Sequence, residues 1–172
     1  DANIHATGGR MVSFENNKIL FTTGDGLKKY GRHSQNINSF FGKIFKIDTN
    51  TKEYELVSMG HRNPQGLFYD KENNVITSTE HGPAGGDEIN IIKISENEIP
   101  NYGWPISSYG AHDPYDIATF KKQGLLAKIL KEQPFHKSHS KYGFEEPIKY
   151  YVPSIGISEI IKMPKNLNKN FK

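Results

Sequence analysis

A short polar segment holds the residues best suited to chemistry. Residues 60–66, Gly-His-Arg-Asn-Pro-Gln-Gly, place Arg62, Asn63 and Gln65 just before an apolar run that begins at Leu67. The residue before a proline is restricted to extended or turn conformations, so the segment predicts a turn at a strand entrance. Arginine is a fixed cation with forked donors, and the two amides carry donors and acceptors, so together they could hold a planar, oxygen-rich anion. A capped turn with an exposed arginine explains the segment by itself equally well.

A second polar segment is rich in glycine and acid. Residues 80–90 read Glu-His-Gly-Pro-Ala-Gly-Gly-Asp-Glu-Ile-Asn. The pairs Gly82-Pro83 and Gly85-Gly86 let backbone carbonyls turn outward, and Asp87 and Glu88 add carboxylates. Carbonyl and carboxylate oxygens are the ligands that Ca²⁺ takes. The spacing is not that of an EF-hand, and a glycine-rich hairpin with a solvated acidic pair is the preferred interpretation of this segment alone.

Two further residues could move a proton or bind a hydroxyl. His5 comes shortly before the first apolar run, and a neutral imidazole can act as a general base near physiological pH. Asp25, in Thr-Gly-Asp-Gly, could orient this histidine or bind a substrate hydroxyl. Taken alone, each residue also fits a plain structural position, a loop for His5 and the end of a strand for Asp25.

The elements that must position these residues are predicted to be strands. Short apolar runs are broken by Asn-Asn, Asp, Gly or Pro, which is typical of strands and turns. Asn16-Asn17 and Asn73-Asn74 occur where a tight hairpin needs residues that tolerate positive φ. The sequence therefore predicts a mainly β chain with strands near residues 11–14, 19–23, 44–47, 54–57, 67–69, 75–79 and 89–94.

Two stretches of the chain resemble each other. Residues 9–26 and 66–82 both run from glycine through a strand, an Asn-Asn turn and a second strand to an acidic residue or histidine beside glycine. A repeated antiparallel unit with a period of about 57 residues suggests the blades of a β-propeller. Two similar hairpins in a β-sandwich are the alternative.

The segment 106–144 departs from this pattern and is predicted to be an inserted loop or short helix. Its polar end carries His136 and His139, which could bind a metal, although a solvated loop is preferred because no third ligand is near in sequence. Its apolar residues have the spacing of one helical face, at Phe120, Leu125, Leu126, Ile129 and Leu130.

The composition excludes several classes of protein. The 172 residues are 35% hydrophobic and 24% charged, which fits one folded domain and argues against disorder. No apolar run reaches the roughly 18 to 20 residues that cross a bilayer. The net charge of +3 comes from four lysines after residue 160, so no basic stripe predicts a nucleic-acid partner. Cysteine is absent, which excludes disulfides and thiolate metal sites. The start at Asp1 leads us to expect a piece of a longer protein.

Six motifs occur in a fixed order along the chain, and together they carry a resemblance. They are His-Ala-Thr-Gly-Gly-Arg-Met, Thr-Thr-Gly-Asp-Gly, Phe-Gly-Lys-Ile-Phe-Lys-Ile-Asp, Gly-His-Arg-Asn-Pro-Gln-Gly-Leu, the segment 80–90, and Asn-Tyr-Gly-Trp-Pro. This order resembles the soluble glucose/sorbosone dehydrogenase family, whose members include quinoprotein aldose sugar dehydrogenases that use pyrroloquinoline quinone (PQQ). The resemblance implies an all-β, six-bladed propeller with PQQ across its top. Residues 1–172 would form about three blades of this single domain.

The resemblance also implies a reaction, the oxidation of an aldose at its anomeric carbon with hydride transfer to PQQ. His5 resembles the base that takes the hydroxyl proton. Arg62 matches the arginine beside the quinone oxygen on which negative charge builds. Asn63 and Gln65 match positions on the polar rim of the quinone, and Asp25 corresponds to a residue near the sugar.

The same resemblance implies two bound calcium ions. The carbonyls of Gly82 and Pro83 would hold one beside the quinone, where it would polarise the reacting carbonyl. Glu88 and the carbonyl of Tyr102 resemble ligands of a second, structural calcium. The family residues that clamp the carboxylates of PQQ would lie after Lys172, so we expect that this piece alone does not complete the cofactor site.

The expected partners are an aldose substrate and an external electron acceptor, in a periplasmic or secreted location. One alternative is a cofactor-free propeller that binds partners, as hedgehog-interacting proteins do. A pure binder would not need His5, Arg62 and the Gly82-Pro83 turn together. A calcium-dependent lactone hydrolase is a third reading, but that chemistry needs several side-chain ligands converging on one metal.

Overall fold

The computed structural model describes residues 5–26, 31–83, 85–95, 97–110 and 138–164. These residues form eight strands: β1 (Gly8–Ser13), β2 (Lys18–Thr23), β3 (Lys43–Asp48), β4 (Tyr54–Met59), β5 (Pro64–Asp70), β6 (Val75–Glu80), β7 (Asp87–Lys93) and β8 (Lys149–Tyr151). Two short 3₁₀ helices lie at Gly31–Gln35 and Ser140–Tyr142. Each predicted apolar run falls on a strand, and the all-β fold class is confirmed.

The strands form two four-stranded antiparallel sheets, in the orders β1-β2-β3-β4 and β5-β6-β7-β8. Within each sheet, every strand pairs with the next along the chain, which is the topology of a propeller blade. The hairpin turns use asparagine as predicted, since Asn17 has φ 58° and Asn74 has φ 52°. Asparagine tolerates this left-handed conformation better than most residues with a side chain.

The two sheets share one core. Leu20 and Ile44 of the first sheet are buried in one cluster with a group from the second sheet and the loop after it, Leu67, Ile76, Ile92 and Tyr102. Alternating residues of a strand point to opposite faces, so the strands that carry these core residues turn one apolar side towards the shared core. Strand β1 lies against β5. This contact brings the segments that enter these two strands to the same side of the molecule.

The described residues form two sheets, whereas the sequence suggests about three blades. The last strand of the second sheet, β8, begins at Lys149 and pairs with β7, which ends at Lys93, so much of the sequence lies between two strands of one sheet. Most of the predicted insertion at 106–144 falls on residues 111–137, outside the described residues. Within the described residues, no helix is long and apolar enough to cross a membrane.

Candidate active site

The turn that carries Arg62 connects the two sheets. It follows β4 and ends where Pro64 opens β5, and Pro64 pairs with Glu80 at the end of β6. The carbonyl of Arg62 accepts a hydrogen bond of 2.7 Å from the backbone N–H of Asp25. Gly60 has φ +77°, and a Cβ there would lie 2.1 Å from Oδ1 of Asn101, so the turn requires glycine at this position.

The Arg62 side chain is held from two sides. Its Nη1 donates a hydrogen bond of 3.0 Å to the carbonyl of His81, and its guanidinium carbon lies 5.3 Å from the centroid of the Trp104 ring. Its Nε is buried and has no hydrogen-bond partner among the described residues. Buried polar groups are nearly always paired, so an unpaired guanidinium donor indicates a place where a ligand acceptor fits.

Glu80 binds the backbone of the same turn. Its carboxylate is 4% exposed and accepts hydrogen bonds from Nδ1 of His61 at 3.0 Å, from Nδ2 of Asn90 at 2.8 Å and from the backbone N–H of Arg62 at 2.8 Å. Burial raises the pKa of Glu80, but the charge and hydrogen bonds of its partners, His61 first, outweigh burial and hold the pKa below its ordinary value.

His61 extends this buried network to Ser58. Its Nε2 lies 2.8 Å from Oγ of Ser58, and its ring stacks on Tyr102 with 4.9 Å between centroids. Serine, histidine and a carboxylate in this order match the connectivity of a hydrolytic triad. Both Ser58 and His61 are fully buried, so no substrate reaches the hydroxyl. The network therefore supports the Arg62 turn and is not a nucleophilic site.

A cavity of about 10 Å³ lies between Arg62 and Gly82, and Glu80, Glu88 and Trp104 also form its walls. This is the room that one water molecule takes. A tricyclic quinone does not fit inside it. Because Arg62 and Gly82 both line this cavity, the turns that carry them face one another.

The turn at Gly82 is crowded with carbonyl oxygens. A Cβ built on Gly82 would lie 2.1 Å from the carbonyl oxygen of Gly85 and 2.4 Å from that of Gly86. The backbone N–H of Gly82 donates to Oδ1 of Asp87 at 3.1 Å. Oxygen atoms gathered in this way are the donor set that a hard cation prefers, and the turn is therefore compatible with calcium.

Asp87 and Glu88 are both buried, so the interpretation of a solvated acidic pair is wrong. The carboxylate of Asp87 accepts from the hydroxyl of Ser154 at 2.7 Å and from three successive backbone N–H groups, those of Ile155, Gly156 and Ile157. Burial raises the pKa of Asp87, and these hydrogen bonds outweigh it and lower the pKa below its ordinary value. The loop at 154–157 is far away in sequence, so the local pattern gave no sign of this burial.

Asn63 and Gln65 lie together beside the start of β1. Nε2 of Gln65 donates to Oδ1 of Asn63 at 2.9 Å, and the backbone N–H of Gly8 donates to the same oxygen at 3.2 Å. Nε of Arg10 donates to the carbonyl of Gln65 at 2.9 Å. These hydrogen bonds hold the start of β1 against the turn that contains Arg62.

The two remaining residues occupy different environments. His5 is exposed, three residues before β1 begins at Gly8. Asp25 is 1% exposed, and its Oδ2 accepts a hydrogen bond of 2.6 Å from Nε1 of Trp104. The structure thus places Asp25 against the ring over which the Arg62 guanidinium lies. Its predicted contact with a sugar, and the role of His5 as a base, stay predictions.

The residues assigned to a second calcium also lie in the cavity wall. Burial raises the pKa of Glu88, which is 4% exposed, and Tyr102 is 2% exposed. A third side chain, His139, lies with them and is 1% exposed. The expectation of a solvated loop around His139 is therefore wrong. His139 lies far along the chain from Glu88 and Tyr102, so no local pattern reveals its burial.

Comparison with known proteins places the chain in a family. Residues 2–172 match the family model for glucose / sorbosone dehydrogenase. Aldose sugar dehydrogenase YliI of Escherichia coli is 29% identical, over 88% of this chain and 38% of that protein. Quinoprotein glucose dehydrogenase B of Acinetobacter calcoaceticus is 28% identical, over 65% of this chain and 28% of that protein. The chain thus spans less than two fifths of the length of these relatives.

The fold agrees with a solved structure of the same kind. The soluble aldose sugar dehydrogenase of Escherichia coli, in its apo form, superimposes with a TM-score of 0.64 and 25% identity. The match covers 88% of this chain and 42% of that one, which agrees with a partial propeller. The family match extends over nearly all of the sequence, and the chain belongs to the glucose/sorbosone dehydrogenase family.

Proposed function

We propose that this protein is a PQQ-dependent aldose dehydrogenase that oxidises its sugar at the anomeric carbon. The observation that carries the proposal is the Arg62 guanidinium, which faces the Gly82 turn across one small cavity and keeps a buried, unpaired Nε donor. A relative named quinoprotein glucose dehydrogenase supports the cofactor. The chain spans only part of its relatives, so the proposal concerns the complete natural protein.

The chemistry needs a hydride acceptor, which PQQ would supply when bound. Arg62 would stabilise the negative charge that develops on the acceptor oxygen, because a fixed cation beside that oxygen favours the charged product. His5 would take the proton of the sugar hydroxyl. Asn63 and Gln65, already bonded to each other beside Arg62, would bind the polar rim of the ring system.

The residues present also fit a calcium ion at the Gly82 turn. Gly82 and Pro83 would hold it through their carbonyls, and the crowding of carbonyl oxygens from Gly85 and Gly86 against Gly82 supports an oxygen-rich donor set there. Asp87 would keep the turn in shape, since its carboxylate accepts from the N–H of Gly82. A cation at this turn would add positive charge to that of Arg62 and further stabilise the negative charge on the acceptor oxygen.

Asp25 has two roles in the proposal. We propose that it lies near the sugar, as the resemblance implies, while its Oδ2 holds the indole of Trp104. Trp104 in turn packs under the Arg62 guanidinium. An aldose, an external electron acceptor and a periplasmic or secreted location complete the proposed function.

The test is aldose-dependent dye reduction by the complete natural protein after addition of PQQ and Ca²⁺. We expect Arg62→Ala to lower kcat by about 10²-fold or more, because one preorganised charge-stabilising group is typically worth this much. Lys71→Ala is the matched control, since it removes an exposed cation in the turn between β5 and β6. A rate in Arg62→Ala equal to that of Lys71→Ala would remove Arg62 from the mechanism.

A further inference from the structure

His139 is inserted into the cavity by the loop that precedes β8. Its ring stacks on Tyr109, with 5.2 Å between centroids and an interplanar angle of 28°. Its carbonyl accepts from the backbone N–H groups of Tyr142 at 3.0 Å and Phe144 at 3.1 Å. His139 is thus held at its ring by Tyr109 and at its backbone by two hydrogen bonds, and it is 1% exposed.

The two ring nitrogens face two different groups of the cavity wall. Nε2 lies 3.3 Å from Oε1 of Glu88, but neither ring nitrogen makes a hydrogen bond with the described residues. Nδ1 faces the backbone of Tyr102 and Gly103, since a Cβ built on Gly103 would lie 2.9 Å from it. The carbonyl of Tyr102 and the carboxylate of Glu88 are among the groups that favour a proton on this ring. These two groups are also the ones that the family resemblance assigns to a structural calcium.

We infer that the side chain of His139 takes, in this protein, the position that the second calcium would take between Glu88 and Tyr102. The imidazole lies between Glu88, on strand β7, and the loop backbone at Gly103. A calcium ion there would need six to eight oxygen ligands at about 2.3 to 2.6 Å. The cavity volume of about 10 Å³ leaves no room for that shell beside the ring.

The residues around the ring of His139 pack closely against it. Gly103 has φ +86°, and a side chain there would collide with both His139 and the ring of Phe144, at 2.9 Å from each. On the other side, Oε1 of Glu146 accepts from the backbone N–H of Ser140 at 2.8 Å and from its hydroxyl at 2.9 Å. Moving the ring out to admit calcium would break the stack on Tyr109 and disturb this loop.

The test uses the complete natural protein without PQQ, so its outcome does not depend on the proposed function. Thermal melting is followed with and without millimolar Ca²⁺ in the wild type and in Glu88→Gln. We expect calcium to change Tm equally in both, since any rise would come from the Gly82 turn, which both proteins keep. A rise in the wild type that Glu88→Gln abolishes would overturn the inference.

A second comparison tests the ring itself. His139→Ala removes it, and Lys141→Ala changes an exposed residue of the same 3₁₀ helix. We expect His139→Ala to melt at least about 2 °C below Lys141→Ala, because it empties a buried position. Equal melting temperatures would contradict the inference. If His139→Ala does not fold, the calcium comparison between the wild type and Glu88→Gln still decides it.

Discussion

At the scale of single residues, the candidate site depends on buried charges that hold a buried to half-buried turn at residues 60–66. Glu80 provides two acceptor oxygens for three donors, one of which is the backbone N–H of Arg62. Its position at the end of β6 lets it reach His61 and Arg62 across the β5–β6 pair. We therefore regard Glu80 as a positioning residue for Arg62.

Glu80→Gln tests this positioning. One acceptor oxygen becomes an amide donor, so at least one of the three buried donors loses its partner, at a cost of about 1–3 kcal/mol. We expect the free energy of unfolding to fall by this amount in denaturant melts and kcat to fall with it. Glu98→Gln, at an exposed loop position, is the control and should change stability by no more than about 0.5 kcal/mol. Equal stabilities of the two variants would refute the role of Glu80.

At the scale of elements, buried side chains tie loops to strands. Nζ of Lys43, on β3, donates to the carbonyls of His33 at 3.0 Å, Ser34 at 2.8 Å and Phe41 at 2.6 Å, and holds the segment before that strand. Burial lowers the pKa of Lys43 to about 8. Asp87 acts in the same way at the start of β7, where it fixes both the Gly82 turn and the loop at 154–157.

The pH dependence of stability should report on Asp87. Its folded pKa is lowered, so its contribution is fully present above the ordinary aspartate pKa of about 3.9 and is lost as pH falls through the folded pKa. Asp87→Asn keeps the shape but cannot ionise. We expect this variant to be less stable at pH 7 and to lose less stability than the wild type between about pH 5 and 3. Parallel curves of Tm against pH would rule out this role.

The elements were largely predictable, while their mutual contacts were not. Alternating apolar runs and the Asn-Asn turns gave the strands, because both signals are local. The partners of Asp87 and His139 lie far along the chain, so burial of these side chains has no local signature. The facing of Arg62 and Gly82 also needed the family resemblance, since sequence spacing alone left each turn open to an ordinary structural reading.

At the scale of the whole molecule, the packing of two sheets assembles the site. The shared core at Leu20, Ile44 and Ile76 holds β1 against β5. The entrance of β5 carries Arg62, and the turn after β6 brings Gly82 to the same cavity, whereas His5 is exposed before β1 and is not part of the cavity wall. The candidate site therefore lies at the junction of the two sheets, and the relatives are more than twice as long as this chain.

The most direct test of the account is a crystal structure of the complete natural protein with PQQ and Ca²⁺. We expect the Arg62 guanidinium within hydrogen-bond distance of a quinone oxygen, and calcium on the carbonyls of Gly82 and Pro83. A quinone bound elsewhere, with Arg62 still turned to the carbonyl of His81 and without a cofactor contact, would contradict the account.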